Sequence, residues 1–199
     1  TTLFSLYRLD MQTLQAELLI DKDGFISGAR FSPDGTQVLV SGSPESLGGI
    51  GKNVKEGQTP SMTDGQLYLL NIADKRVTPL TKDFNPSVQR AVWNKADGQI
   101  YFTAENRDCY SLYRMNPADG KIQQLEVSED LVNSFSLAQN APVMVYYGQS
   151  ASNSDRLYTM NTKKMKSSLL EDLSKDILKD VELGESKTWS FNNSRGKTI

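Results

Sequence analysis

Histidine is absent from the 199-residue sequence, and this absence excludes the commonest general base of enzymes. Without histidine the chain contains neither a Ser-His-Asp triad nor a Cys-His pair, and the commonest metal ligand is missing. The one cysteine, Cys109, has no partner for an internal disulfide, and we interpret it as a structural thiol. We therefore predict that the chain itself holds no catalytic residue, no metal site and no cofactor.

Excess charge and long apolar segments are also absent. Lys and Arg total 22 and Asp and Glu total 24, a net charge of −2, whereas a nucleic-acid-binding surface requires clustered basic residues. No apolar run approaches the roughly 18–20 residues of a membrane helix. We therefore expect neither nucleic acid nor membrane as a partner. The periplasm and the cytoplasm of a bacterium both stay open as locations.

The sequence does contain one five-residue motif four times, which we call the phrase: LYRLD at 6–10, LYLLN at 67–71, LYRMN at 112–116 and LYTMN at 157–161. Each phrase opens an ungapped stretch of fourteen residues with Leu first, Tyr second, Leu or Met fourth, Asp or Asn fifth and Leu last. The last three copies start 45 residues apart. The first copy starts 61 residues before the second, which leaves 16 extra residues between them.

Each copy has the pattern of a β-hairpin. Apolar residues and Tyr favour a strand, and the Asp or Asn then favours a turn because its side chain bonds the backbone two residues on. Asn116-Pro117-Ala118-Asp119-Gly120 is the clearest of these turns. A second hairpin is predicted between copies, over residues 29–42, 91–104 and 135–148.

Two hairpins per period make four strands, and four strands recurring about every 45 residues are typical of a β-propeller blade. One blade does not bury both faces of its sheet, so blades must stack. We predict an all-β fold, a partial β-propeller of about four four-stranded blades with WD-like repeats. A β-sandwich and an α-helical solenoid are the alternatives, and the repeated phrase and the frequent Gly and Pro turns disfavour them. Residues 1–199 form a single propeller segment, with blade units at about 1–28, 29–90, 91–133 and 134–187 and the start of a linker at 188–199.

Three further local patterns each support a prediction. Residues 169–183 fit either a short connecting helix or a strand followed by a long loop. Trp93 and Trp189 are predicted to be core residues on strands. Asp21-Lys22-Asp23-Gly24 resembles the start of a calcium loop but lacks the later ligands, and it is interpreted as a turn.

The segment FSPDG at 31–35, followed by a hydrophobic strand, resembles a blade motif of Tol-associated propellers and of the prolyl oligopeptidase family. That family includes enzymes like dipeptidyl peptidase IV and acylaminoacyl peptidase. Residues 48–53, 81–102 and 181–199 are similar to later propeller blades of its bacterial members. Arg195–Ile199 resembles the segment that leads into the hydrolase domain, with Arg195 where Asp is usual.

This resemblance implies a parent serine peptidase in which the propeller caps the active site, limits substrate size and helps to recognise peptides. The chain begins within a strand-like pattern and contains no G-x-S-x-G motif, so we expect it to be a piece of a longer protein. The α/β-hydrolase domain is expected outside it. No Glu-Glu pair matches the one that binds the substrate amino terminus in dipeptidyl peptidases, so the resemblance assigns no substrate-binding residue.

The insertion at residues 43–64 contains the 16 extra residues. Its SLGGIGKN stretch resembles a phosphate-binding loop but has Ser46 in place of the first Gly and Asn53 in place of the Ser or Thr that would bind magnesium. Long loops on repeat scaffolds often carry function. Lys52, Asn53 and Lys55 are therefore predicted to make functional contacts, with a solvated loop as the alternative.

Two functions fit these observations. The first is the non-catalytic propeller part of a serine peptidase, which admits peptide substrates to a hydrolase domain absent from this chain. The second is a stand-alone propeller that serves as a scaffold for protein–protein binding, since fold alone does not choose between roles. An open arc of blades exposes sheet edges, and we expect it to form homo-oligomers through them.

Overall fold

The structure is a computed structural model that describes residues 2–199. Strands dominate the described residues, and the only helical element among them is one short turn. The elements are β1 (Phe4–Leu9), β2 (Ala16–Asp23), β3 (Gly28–Phe31), β4 (Gln37–Gly42), α1 (Ser46–Gly49), β5 (Gln66–Asn71), β6 (Val77–Pro79), β7 (Ser87–Trp93), β8 (Ile100–Asn106), β9 (Cys109–Met115), β10 (Ile122–Gln124), β11 (Leu131–Leu137), β12 (Val143–Ser150), β13 (Asn153–Asn161) and β14 (Lys166–Asp172).

The strands form antiparallel units in chain order, which we number as blades. Blade 1 is the pair β1–β2, blade 2 is β3–β6, blade 3 is β7–β10 and blade 4 is β11–β14. A single parallel bridge between Leu131 and Tyr110 joins the sheets of blades 3 and 4. This succession of antiparallel sheets confirms the predicted β-propeller architecture. The propeller is an open arc, because no sheet among residues 2–199 closes on itself. Blades 3 and 4 start at Ser87 and Leu131.

The fourteen-residue repeat has the same strand register in all four blades, because its Tyr always pairs with the residue eleven positions further on. The pairs are Tyr7 with Leu18, Tyr68 with Pro79, Tyr113 with Gln124 and Tyr158 with Leu169. A register shift of one residue would place these tyrosines on the opposite sheet face. The four copies of the phrase are therefore structurally equivalent third strands, with β1 taking that place in blade 1.

The hairpin turn is also shared by the copies, and its fifth residue explains why. The side-chain oxygen of this Asp or Asn accepts the backbone N–H two residues on in every copy, and in all but the third copy also the one three residues on, as Asp10 does from Gln12 and Thr13 at 2.8 Å each. The ninth residue then takes a left-handed conformation in every copy, with φ of 56° at Leu14, 57° at Lys75, 68° at Gly120 and 52° at Met165. Only the third copy has the glycine for which this conformation is least costly.

Apolar side chains alternate between the two faces of each blade and fill three separate cores, one between each pair of neighbouring blades. The repeated Tyr contributes to the core with the preceding blade, and the repeated Leu to the core with the following one. Tyr68 lies in the core between blades 1 and 2, Leu67 and Tyr113 in that between blades 2 and 3, and Leu112 and Tyr158 in that between blades 3 and 4.

The two outer blade faces lack this cover. Tyr7 is 56% exposed, although Tyr68 is fully buried at the equivalent position, because no further blade among residues 2–199 covers that face of blade 1. Leu157, on the outer face of blade 4, is only half-buried, whereas Leu67 and Leu112 are fully buried. The burial of the phrase thus depends on a neighbouring blade and not on the strand itself.

The local predictions have mixed outcomes. Residues 169–183 form the end of β14 followed by turns, which is the strand-and-loop alternative. Trp93 packs against the core between blades 2 and 3, and its indole N–H donates to Gly98 O at 3.0 Å. The core prediction for Trp189 is wrong, because this residue lies outside any strand, is 77% exposed and contacts Phe191. No helix among residues 2–199 is long and apolar enough to cross a membrane.

Candidate functional site: the long-loop end of the blades

The two ends of the blades differ because antiparallel strands place alternate connections at opposite ends. One end carries compact Asx-type turns. The other, which we call the long-loop end, carries the longest connections, including the β4–β5 connection at residues 43–65, which contains the insertion. The long-loop end comprises residues 24–27, 43–65, 80–86, 107–108, 125–130 and 151–152. The longest loops of residues 2–199 therefore lie at this end.

The insertion is held to the blades by buried polar contacts at its beginning. Asp23 Oδ1 accepts N–H bonds from Phe25 and Ile26 at 2.7 and 3.0 Å. The turn predicted at residues 21–24 is wrong in position, because residues 21–23 complete β2 and the bend follows at residues 24–25. The other oxygen of Asp23 accepts the N–H of Leu47 at 2.6 Å, where Leu47 has a φ of 56°. Tyr68 Oη donates to Ser43 O at 2.6 Å. The first turn of the insertion is thus fixed by blades 1 and 2.

The three residues predicted as loop contacts lie further along the insertion and are exposed. Lys52 Nζ forms an ion pair with Glu45 at 2.6 Å, and Asn53 Nδ2 donates to Asp83 Oδ1 at 2.9 Å. The backbone N–H of Lys55 donates to Gln58 Oε1 at 3.3 Å. The Asn53 contact joins the insertion to the loop at 80–86, so two long loops border one surface.

Two shallow clefts open on this surface. One, of about 220 Å³, lies between the insertion and the 80–86 loop and is lined by Asn53, Asp64 and Lys82 among others. The other, of about 390 Å³, continues toward β7 and β8 and is lined by Asp64, Glu105 and Arg107. Both clefts mix acidic and basic groups and so do not select one sign of charge.

A buried carboxylate lies in the loop between blades 3 and 4. The Glu129 side chain is fully buried, and its Oε1 accepts a hydrogen bond from Tyr158 Oη and lies 4.0 Å from Arg156 Nη1. Burial, followed by this hydrogen bond, raises the pKa of Tyr158 to about 12. Arg156 also binds Asp172 through Nε at 2.8 Å. The sequence alone did not identify Glu129, because its partners lie 27 and 29 residues away.

No arrangement in residues 2–199 resembles a hydrolytic centre. Burial, with the nearby carboxylates of Asp108 and Asp130, raises the pKa of the Cys109 thiol, which disfavours the nucleophilic thiolate. No cluster of three or more Cys, Asp or Glu residues suitable for a metal ion occurs in the described chain.

Comparisons with known proteins define the class of protein to which this architecture belongs. No family model and no curated protein sequence matches the chain. Among solved structures, the acylaminoacyl peptidase of Pyrococcus horikoshii superimposes with a TM-score of 0.69 at 20% identity, over 98% of this chain and 27% of that protein. The β-propeller domain of the Trilobed protease from Pyrococcus furiosus gives 0.61 at 20% identity, over 85% and 44%. TolB from Acinetobacter baumannii gives 0.62 at 17% identity, over 86% and 39%.

These similarities establish the chain as β-propeller in fold and confirm its resemblance to propellers of prolyl oligopeptidase-family peptidases. At identities of 20% or less they establish the fold alone. The chain spans less than half the length of each of these three proteins.

Proposed function

We propose that this chain is the non-catalytic β-propeller portion of a serine peptidase of the prolyl oligopeptidase family, and that it admits and recognises peptides for an α/β-hydrolase domain. The observation that carries this proposal is the superposition of 98% of the chain on an acylaminoacyl peptidase. The absence of histidine from the sequence agrees with chemistry located elsewhere in the parent protein. The long-loop end supplies a polar surface for peptide contacts.

The test uses the product of the complete natural gene. A fluorophosphonate probe should label one serine outside these 199 residues, and purified protein limited to this chain should hydrolyse no peptide or ester. Absence of a labelled serine in the complete gene product would contradict the proposal.

The recognition role needs its own measurement on that complete enzyme. Replacing Lys52, Asn53 and Lys55 by Ala should alter kcat/KM for long peptides while leaving that for a small ester unchanged. A matched control replaces Lys163 and Lys164, which lie in the exposed β13–β14 turn at the opposite end. Equal effects of both variants on long peptides would remove the insertion from substrate recognition.

A stand-alone propeller scaffold is the second candidate, because the β-propeller fold alone does not choose between roles. In that case the complete gene encodes no hydrolase domain. A purified protein partner should then bind the wild-type chain and lose affinity for the Lys52, Asn53 and Lys55 variant.

A further inference from the structure

The strand that carries the phrase has two neighbouring strands in blades 2–4 but only one in blade 1. Strands β5, β9 and β13 each pair with the second and the fourth strand of their blades, whereas β1 pairs with β2 alone among residues 2–199. At the end of this hairpin the Asp10 N–H donates to Gln15 O at 2.9 Å. Because the backbone groups of an antiparallel strand point alternately to its two sides, those of Tyr7 and Leu9 point away from β2. One edge of β1 is therefore free to pair with a further strand.

The second strands of blades 2–4 show which residues fit at such an edge. Opposite the phrase each contains three consecutive hydrophobic residues, VLV at 38–40, IYF at 100–102 and MVY at 144–146. The first of the three pairs with the fourth residue of the phrase, and the third pairs with the repeated Tyr. By the same register, three residues of an added strand would lie opposite Leu9, Arg8 and Tyr7. A bulge directly before the Tyr occurs in both blade 1 and blade 4, and β13 still pairs with β12 there, so the bulge does not prevent this pairing.

An aromatic ring lies where the middle residue of such a strand would pack. Phe31, Trp93 and Leu137 are equivalent, because each ends the first strand of its blade and pairs with the first of the three hydrophobic residues. Trp93 packs in the same core as Leu39, the middle residue of the preceding blade. Leu137 likewise packs in the same core as Tyr101. The equivalent partner of Phe31 is thus the middle residue of a second strand in blade 1.

Phe31 lacks this partner and is accessible from the free edge of β1. Its side chain is 54% exposed. A cleft of about 740 Å³ is lined by Phe31 from blade 2 and by Arg8 and Leu9 from β1. The free edge and the exposed ring therefore border the same space, which we call the β1 groove.

We infer that the β1 groove binds an extended peptide with three consecutive hydrophobic residues, which adds to blade 1 as an antiparallel strand. The three segments of this chain that have the pattern are already paired within their own blades, so a second folded copy cannot supply them without unfolding a blade. The choice of occupant rests on the proposed function, because the propeller of a peptidase meets peptides. The inference adds to that function a preference for substrates with a hydrophobic run in extended conformation.

Binding of fluorescent peptides to the 199-residue chain tests the inference independently of any hydrolase. The probe is an acetylated and amidated peptide, Lys-Ser-Val-Leu-Val-Ser-Lys. N-methylation of its second Val should weaken binding at least about tenfold, because the N–H of this residue would donate to Tyr7 O. N-methylation of its Leu is the matched control: the N–H of the middle residue points away from β1, so affinity should change by less than about twofold.

The Phe31 contact has a separate test. Phe31→Ala should weaken binding of the probe about tenfold but should not affect a peptide with Ala in place of Leu, because the two changes remove the same contact. Leu169→Ala is the matched control, since Leu169 in β14 is 53% exposed and lies in blade 4. Thermal unfolding of each variant verifies its fold.

Several results would overturn the inference. Equal losses from the two N-methylated peptides would show hydrophobic contact without strand pairing, and equal losses in Phe31→Ala and Leu169→Ala would remove Phe31 from the contact. Leu9→Pro removes an N–H at the free edge. If sedimentation velocity shows that Leu9→Pro abolishes self-association while the probe does not bind, the edge belongs to a second copy and not to a peptide. The proposed function, in contrast, fails only on the fluorophosphonate result.

Discussion

The dependence of the repeat on neighbouring blades predicts that one substitution has very different costs at equivalent positions. Tyr68 and Tyr7 occupy the same register, yet Tyr68 is fully buried and Tyr7 is 56% exposed. Tyr68→Ala removes an entire aromatic side chain from the core between blades 1 and 2 and should cost about 3–5 kcal/mol of unfolding free energy. Tyr7→Ala removes a side chain that no neighbouring blade covers and should cost about 0.5 kcal/mol.

Urea unfolding at 25 °C, followed by circular dichroism, measures this difference. With a denaturant slope of about 3 kcal/mol per molar, the midpoint should fall by about 1–1.7 M for Tyr68→Ala and by about 0.2 M for Tyr7→Ala. Tyr68→Phe keeps the packed ring but removes the hydrogen bond to Ser43 O, so it should lower the unfolding free energy by about 1 kcal/mol. Equal midpoint shifts at Tyr7 and Tyr68 would refute the claim that packing between blades stabilises the repeat.

Three further outcomes are expected. Gly120→Ala should lower the unfolding free energy by about 1 kcal/mol, because Gly120 has a φ of 68° although the space around its α-carbon is open. Gly184 is the control: it also lies in open space but has no positive φ, so Gly184→Ala should not lower the unfolding free energy. Burial raises the pKa values of Tyr68 and Tyr158 to about 12 from 10.0. The stability that these neutral tyrosines contribute is therefore fully present below about pH 10 and should be lost as the pH rises toward about 12. Urea midpoints measured across this range should fall less steeply with pH in Tyr158→Phe than in the wild type. Sedimentation velocity should detect self-association of the wild-type chain through its outer blade faces, and Leu157→Asp should reduce it; a monomer at micromolar concentration would contradict this.

The parts of the fold that repeat could be predicted from the sequence, because the same local chemistry recurs at fixed spacing. Four Asp or Asn residues at the fifth position identified the turns, and the structure has the same Asx contacts there. The left-handed ninth position was not predictable in the same way. Three of its four residues, Leu14, Lys75 and Met165, are types that rarely adopt positive φ, so composition gave no signal.

The parts that do not repeat depend on contacts between distant residues, and only their location could be read from the sequence. The 16-residue excess placed the insertion correctly between blade strands. Asp23 anchors the insertion by accepting the N–H of Leu47, 24 residues further along the chain. This contact stabilises the α1 turn, whose sequence has no helical pattern of its own. The core prediction for Trp189 was wrong for a related reason. The residues around Trp189 have a strand-like pattern, but they pair with no sheet among residues 2–199.

Two blade junctions differ in the chemistry of equivalent residues of the repeat. Between blades 2 and 3, Phe84 packs edge-on against the stacked pair Phe102 and Tyr113. Between blades 3 and 4 the stacked pair is Tyr146 and Tyr158, and the corresponding loop supplies the Glu129 carboxylate instead of a ring. A buried charge is seldom more stabilising than an apolar group of similar volume. Packing therefore fixes the strands and the tight turns, whereas equivalent positions at the long-loop end carry an aromatic ring at one junction and a carboxylate at the next.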